Sequence, residues 1–192
     1  MEQSLVILKP DAIKRGIIGE IITRFEKTGL KMVAAKLFWA DKDLAGRHYP
    51  YDRKEFIEGM AKKTVENYEK FGLDVMKDFG TTDLNEIGQI IRTWLIDMIT
   101  EGPVFCMVWE GPHAVELIRK MAGHTLPLAA APGTIRGDYS FDSSYLANKA
   151  KRGIKNLLHA SGTVEEARFE IPLWFDEKEI HSYERVEEKA MR

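Results

Sequence analysis

Short apolar runs alternate with helical patterns along the chain. Four runs have the length of β-strands: residues 5–8, 30–39, 104–109 and 156–160. Apolar runs of this length between turn residues predict buried strands. Apolar positions repeat at helical spacing in two of the intervals: Ile18, Ile21, Ile22 and Phe25 in one, and Val115, Ile118 and Ala122 in the other. Each interval therefore predicts a helix that packs on the sheet.

Residues 50–101 and the C-terminal part contain the remaining helical patterns. Two amphipathic helices are expected within 50–101, one around Ile57 to Phe71 and one around Leu84 to Met98. Capping-box spacing, Asp83 with Glu86 and Thr163 with Glu166, marks the starts of the second of these helices and of a last helix. Residues 50–101 carry a net charge of −4, whereas the rest of the chain carries +2.

The order of these elements predicts a fold. Without the excursion at 50–101 it is β-α-β-β-α-β followed by a helix, which is the order of a ferredoxin-like α+β fold. We expect an antiparallel sheet with helices on one face, in a single domain over 1–192. Two insertions are expected, a helical and acidic one at about 50–101 and a basic one at 141–155, which has four cations against Asp142. A solvated loop is slightly favoured for the basic stretch.

Composition narrows the class of protein. Lys plus Arg total 28 against 30 for Asp plus Glu in 192 residues, and a net charge of −2 argues against a protein that coats nucleic acid. The single cysteine, Cys106, excludes an internal disulfide and a multi-cysteine metal site. Neither a signal peptide nor an apolar run of roughly 20 residues is visible, so we predict a cytoplasmic protein without a membrane segment.

Candidate chemistry rests on isolated polar residues at the ends of apolar elements. The chain has no Walker A sequence, G-x-G-x-x-G, H-E-x-x-H or nucleophile elbow. It does offer three cations, a hydroxyl, an amide and an imidazole: Lys9, Arg119, Arg136, Thr125, Asn156 and His159. Such a set suits an anionic substrate such as a phosphate chain. Each residue also has a structural alternative. Lys9 could be a solvated lysine, Arg119 a helix-surface arginine and His159 a hydrogen-bonded core or edge histidine. For the other four histidines we favour the structural role.

Several separated motifs resemble those of the nucleoside diphosphate kinase family, in the family's order. They are ILKPD at residues 7–11, RG at 15–16, GEI at 19–21, HY at 48–49, GPV at 102–104, MVWEG at 107–111, MAGHTLP at 121–127, PGTIRGD at 132–138 and NLLHAS at 156–161. The similarity covers about 1–49, 102–140 and 156–175. The family's fold is the ferredoxin-like one that the element order already predicts.

The resemblance implies an enzyme that moves the γ-phosphate of an NTP to an NDP by a ping-pong route. It makes His159 the nucleophile that carries the phosphate, with Glu170 as the acceptor that holds the ring. It makes Lys9 a catalytic residue beside these two. It also makes Lys9, Arg119, Arg136, Thr125, Tyr49 and Asn156 the nucleotide ligands. It implies Mg²⁺ bound through nucleotide phosphates without a protein metal cage, and a homo-oligomer, either hexamer or tetramer.

The chain also departs from the family pattern. Gly162 stands where the family has an aspartate, and His124 replaces a common glutamate. Residues 50–101 are longer than the usual connection, so the residue that stacks on the base, and with it base preference, is not assigned. A non-catalytic nucleotide-binding or regulatory relative is the alternative. An RNA-binding module ranks last, because the strands lack exposed RNP1-like aromatics.

Overall fold

The computed structural model describes residues 1–186 and residue 188. Its sheet has four antiparallel strands in the order β2-β3-β1-β4. The strand bounds are β1 Glu2–Leu8, β2 Lys31–Phe38, β3 Val104–Gly111 and β4 Leu158–Ala160. This topology confirms the predicted ferredoxin-like α+β fold.

Ten α-helices lie in the described residues. They are α1 Pro10–Lys14, α2 Ile18–Glu26, α3 Lys42–His48, α4 Lys54–Lys70, α5 Val75–Phe79, α6 Leu84–Thr100, α7 Ala114–Ala122, α8 Ile135–Tyr139, α9 Ser144–Lys149 and α10 Val164–Trp174. The 3₁₀ helices are Pro127–Ala129 and Glu177–Glu179. The sequence patterns predicted all the longer helices and missed α1, α3, α5, α8 and α9. These five are too short to show helical periodicity.

The position of β1 inside the sheet explains why its apolar run is continuous. Val6 and Leu8 face a core that is shared with α2 and α7, and Leu5 and Ile7 face a second core on the opposite side. Since both faces are covered, four successive residues are fully buried.

The expectation of helices on one face therefore holds only for the two crossover helices, α2 and α7. On the opposite face α10 packs on β1, and α3 and α6 contribute Ala45 and Ile99 to the same core. Leu5, Ile7, Cys106 and Val108 are apolar on that face, so it needs cover of its own. Part of the predicted insertion thus belongs to the main core.

Within segment 50–101, α4 and α6 form a tight helical pair. A Cβ on Gly88 would lie 2.4 Å from the carbonyl oxygen of Ile57, so only glycine permits this approach. Ala61, Ile87 and Ile91 form a small separate core between these helices.

The basic stretch 141–155 is more ordered than the solvated loop we favoured. It contains α9, which packs on α4 through a hydrogen bond of 2.8 Å from Ser144 Oγ to Asn67 Oδ1. Lys151 Nζ lies 3.6 Å from Asp78 of α5. Asp142 is buried and accepts two hydrogen bonds from Arg152. The acidic and basic stretches therefore contact each other.

Within 1–186 and residue 188, we find no helix with the length and apolar character that crossing a membrane requires.

Candidate active site

His159 lies in the middle of the short strand β4, where it pairs with Ile7 of β1. Its Nε2 lies 2.8 Å from Oε1 of Glu170, eleven residues on in α10. The start of α10 fixes this approach, since Thr163 caps the helix by accepting a hydrogen bond of 3.1 Å from the Glu166 N–H. The structure thus brings together the two residues predicted to act as nucleophile and ring acceptor.

Glu170 is held from both sides. Its second oxygen, Oε2, accepts a hydrogen bond of 2.7 Å from Ser161 Oγ, and Ser161 Oγ accepts one of 3.1 Å from the backbone N–H of Leu5. Burial raises the pKa of Glu170, but the neighbouring His159 and the hydrogen bonds have a larger effect in the opposite direction. The net result is a lowered pKa. An ionised carboxylate accepts a hydrogen bond from Nε2–H of His159, an arrangement that favours the tautomer with an unprotonated Nδ1.

Lys9 follows β1 directly and is buried, with 5% of its surface exposed. Its Nζ donates a hydrogen bond of 2.6 Å to Asn156 Oδ1. Burial lowers the pKa of Lys9 to about 8, Asp11 partly offsets this, and Arg136 lowers it further. A buried ammonium with a depressed pKa is stabilised when an anion binds beside it.

Arg136 is fixed by three backbone carbonyls. Its guanidinium donates to the carbonyl oxygens of Asn156, Gly123 and Leu158 at 3.1, 2.7 and 2.8 Å. Burial, followed by the neighbouring Arg119, lowers its pKa to about 10, while Asp11 has the opposite effect. Because carbonyls carry no net charge, the guanidinium remains available to a phosphate.

The backbone just before β4 takes an unusual path. Leu157 has a φ of +72°, and the Leu158 N–H donates across it to the Asn156 carbonyl at 2.9 Å. Such a conformation costs about 1–3 kcal/mol in a residue other than glycine. Two further bonds hold it: Lys9 N–H donates to the Leu157 carbonyl at 2.8 Å, and Asp11 Oδ2 accepts from Leu157 N–H at 3.0 Å. The strained turn places Asn156 and His159 on either side of one cavity.

That cavity has a volume of about 400 Å³, and its wall contains six of the predicted site residues: Lys9, Arg119, Thr125, Arg136, Asn156 and His159. Asn156 also ties its Nδ2 to the Thr125 carbonyl at 2.8 Å. A larger cavity of about 560 Å³ lies between the start of β1 and α10, and its described lining includes none of these residues. We therefore place the candidate active site in the smaller cavity.

Tyr49 and Glu170 are not among the described residues of that wall and lie behind His159. Tyr49 is buried, and burial followed by the charge of Glu170 raises the pKa of its hydroxyl. Its ring contacts His48 at a centroid distance of 4.6 Å, and His48 in turn contacts His159. The resemblance makes Tyr49 a nucleotide ligand, whereas its ring is buried against His48 and is not part of the described cavity wall.

Glu166 is a cavity residue that the sequence analysis missed. We expected its side chain to complete a capping box, but its Oε2 accepts a hydrogen bond of 2.8 Å from the N–H of Gly162. A Cβ at position 162 would lie 2.4 Å from that oxygen, so the carboxylate occupies space that an aspartate there would need. Glu166 also pairs with Arg53 at 3.2 Å. Gly162 lacks the side chain of the family's aspartate, and the carboxylate of Glu166, four residues on, occupies that space.

His48, which we interpreted as a packing residue, is a second residue that the sequence analysis missed. It is buried at the end of α3, and its ring lies against that of His159 at a centroid distance of 4.5 Å. It lies in the HY motif at 48–49, but we assigned it no chemical role, because its partners come from β4 and α10.

Together, the fold and the cavity define a class. A ferredoxin-like domain that holds a carboxylate-bound histidine beside three cations in one cleft has the components of a phosphotransferase that acts on polyphosphate substrates.

Comparison with known proteins identifies the family within this class. The family model described as nucleoside diphosphate kinase matches residues 2–67 and 89–180. A nucleoside diphosphate kinase of Pyrobaculum aerophilum is 46% identical over 180 residues, which cover 94% of this chain and 98% of that protein. One from Pyrococcus furiosus is 43% identical over 184 residues, covering 95% and 88%. The chain belongs to the nucleoside diphosphate kinase family and is a nucleoside diphosphate kinase by function.

Solved structures agree with this assignment. The crystal structure of the NDP kinase from Pyrobaculum aerophilum superposes with a TM-score of 0.92 at 45% identity, covering 94% of this chain and 99% of that one. A transition-state mimic of the Borrelia burgdorferi enzyme with bound vanadate and ADP gives 0.79 at 36% identity, covering 98% and 95%. The family model leaves only residues 68–88 unmatched within 2–180, a shorter stretch than the insertion we predicted.

Proposed function

We propose that this kinase works by a ping-pong route through a phosphohistidine at His159. The observation that carries the proposal is the 2.8 Å contact of His159 Nε2 with the buried carboxylate of Glu170, at the wall of a cavity lined with cations. A nitrogen nucleophile that must bear positive charge during attack needs such a fixed partner.

Each half-reaction exchanges one bond for another. In the first, the lone pair of His159 Nδ1 forms a bond to the γ-phosphorus, and the bond from that phosphorus to the β–γ bridging oxygen breaks. The electron pair leaves with the NDP. Glu170 stabilises the positive charge that develops on the imidazole, through the Nε2 proton. In the second half-reaction a terminal β-phosphate oxygen of the acceptor NDP bonds to the phosphorus, the bond from phosphorus to His159 Nδ1 breaks, and its electron pair returns to the imidazole.

The cations supply the electrostatic part of catalysis. We assign Lys9 and Arg136 to the phosphoryl group in transfer, because hydrogen bonds fix both side chains and both are buried. Arg119 and Thr125 are exposed on the cavity wall and suit the phosphates of the leaving or incoming NDP. Asn156 anchors Lys9 and contacts the substrate loop through the Thr125 carbonyl, so we assign it to the sugar side of the nucleotide.

We propose that the nucleotide brings Mg²⁺ with it. Mg²⁺ bound with the nucleotide would offset the charge of the phosphates. The described cavity wall offers a single carboxylate, that of Glu166, that could face the ion. The hexameric or tetrameric assembly and the cytoplasmic location remain predictions. Light scattering on the purified protein tests the assembly.

Labelling with γ-³²P-ATP tests the proposal. The wild-type protein is expected to take up about one label per chain, stable in alkali and lost in acid, which is the behaviour of a phosphoramidate. His159→Asn should take up none, whereas His113→Asn, a change at a histidine outside the cavity, should label normally. Acid-stable label, or equal label in His159→Asn, would refute the assignment of His159.

A further inference from the structure

His48 is buried beside His159, the residue that we propose as nucleophile. The planes of the His48 and His159 rings are perpendicular, with centroids 4.5 Å apart. A ring nitrogen of each histidine and a carboxylate oxygen of Glu170 all lie within 4.8 Å of one another. His48 therefore packs against the ring that we assign as nucleophile, on the side where Glu170 holds it.

The hydrogen bonding of His48 fixes its tautomer. Trp174 Nε1–H points to His48 Nδ1 at 3.3 Å, and an indole nitrogen can only donate. His48 Nδ1 is then the acceptor, and the proton of the neutral ring sits on Nε2. Burial and then the charge of His159 lower the pKa of His48 to about 3, an effect that Glu170 opposes and Lys9 assists. His48 is thus neutral and single in form at physiological pH.

The Nε2–H of His48 has no hydrogen-bond partner among residues 1–186 and 188, although it is buried. Leaving a donor unpaired in a core is unfavourable, and a phenyl ring fills similar space without that penalty. An imidazole with one nitrogen anchored and the other unpaired is therefore a poor choice for packing alone.

We infer that His48 is a positioning residue for the phosphoryl-transfer step. Anchored by Trp174, its ring holds the plane of the His159 imidazole at right angles, so that the proton stays on His159 Nε2 and is donated to Glu170, and Nδ1 stays aimed at the phosphorus. Trp174, which contacts His48, and Glu170, which contacts His159, both belong to α10, so one helix supplies a partner to each histidine. This inference rests on the proposed role of His159 as nucleophile.

Single-turnover kinetics of phosphoenzyme formation test the inference. His48→Phe keeps a flat ring and removes both nitrogens, and His48→Gln keeps an amide N–H near the position of Nε2. We expect His48→Phe to lower the rate of His159 phosphorylation at saturating ATP by ten- to a hundredfold, the scale of a misplaced reacting group. The KM for NDP should stay within about twofold, and His48→Gln should recover part of the rate. His113→Asn is the matched control and should keep the wild-type rate.

A second readout separates positioning from general damage to the fold. ¹⁵N NMR of the imidazole nitrogens should show His159 protonated only on Nε2 in the wild type and in both tautomers in His48→Phe. If His48→Phe does not fold, Trp174→Phe frees Nδ1 of His48 and should give the same changes at smaller size. Unchanged phosphorylation rate and tautomer in a folded variant would overturn the inference about His48. A wild type that is never phosphorylated would overturn the proposed function.

Discussion

In the cleft, Lys9 and Arg136 have 5% and 8% of their surface exposed, and neither forms a salt bridge among residues 1–186 and 188. In the helical segment 50–101 the charges lie mostly on the surface and some are paired, as in Asp97 with Lys42 of α3 at 3.0 Å, with side chains 62% and 75% exposed. Burying a cation without a counter-ion is unfavourable for folding, whereas a surface pair changes little. This difference is what we expect if the buried cations bind the substrate, as proposed, and the surface charges mainly contact solvent.

The two regions also differ in what fixes their side chains. Arg136 donates to three backbone carbonyls and Glu170 is bound on both oxygens. The side chain of Lys54 in α4, by comparison, is 77% exposed and pairs with Glu58 at 3.6 Å, one turn along the same helix. Preorganised groups cost no rearrangement when charge develops in a reaction, so we expect catalysis to depend on the cleft and stability to depend weakly on surface charge.

Of these variants, Lys9→Met should show the largest loss of activity. It removes a cation that we assign to the transferring phosphoryl group, so kcat/KM should fall by about 10³. Burying the charge lowers the Lys9 pKa from 10.5 to about 8, a penalty of about 3 kcal/mol below pH 8. The Tm at pH 7 should therefore be unchanged or higher, as measured by calorimetry. A Tm well below wild type would mean that Lys9 is mainly structural.

Glu170→Gln should have the next largest effect. The amide keeps the size of the side chain but loses the charge that stabilises a positive imidazole, so kcat should fall by about 10². Ser161→Ala is the comparison, because it removes the hydroxyl that contacts Glu170 Oε2 and leaves the carboxylate. We expect the smaller kinetic loss there, together with a loss of about 1–3 kcal/mol in stability from the unpaired Leu5 N–H.

Nucleotide affinity should depend on pH through Lys9. Below pH 8 its ammonium is protonated and attracts phosphate, and above pH 8 the folded, nucleotide-free protein loses that charge. The Kd for an NDP, measured by calorimetric titration, should therefore weaken above pH 8 and approach tenfold per pH unit. Stability should change in the opposite sense, rising between pH 8 and about 10.5, because there the unfolded chain binds more protons. A flat Kd from pH 7 to 10 would contradict the assignment.

Lys42→Ala should have the smallest effect. It breaks an exposed pair with Asp97, which is worth less than about 0.5 kcal/mol. The kcat/KM should stay within twofold of wild type, and urea unfolding should show little change. A large loss of activity would mean that this surface pair between α3 and segment 50–101 takes part in catalysis, and the contrast between the two regions would fail.

The sequence patterns predicted the parts of the fold that depend on local order. Apolar runs marked all four strands, and Thr163 capped α10 where expected. The patterns missed the short helices and the cover on the second face of the sheet. That cover comes from α3, α6 and α10, which lie far apart in the chain. The hydrophobic period within one segment does not indicate such packing.

For the site, residue types and motifs led to six side chains that share one cavity wall, and to Glu170 behind them. They did not lead to His48 or Glu166. His48 looked like an ordinary core histidine because its partner Trp174 is 126 positions away. Glu166 looked like a helix cap because only the structure shows that the missing side chain at Gly162 leaves room for its carboxylate.

Discharge of the isolated phosphoenzyme tests the central claim most directly, because it asks whether the cleft alone moves phosphate between nucleotides. Protein labelled with γ-³²P-ATP is freed of nucleotide and then mixed with Mg²⁺ and GDP or CDP. The account predicts that nearly all label leaves His159 and appears as the labelled triphosphate, whichever NDP is added. Label that stays on the protein, or that appears as free phosphate while the NDP is unchanged, would contradict it.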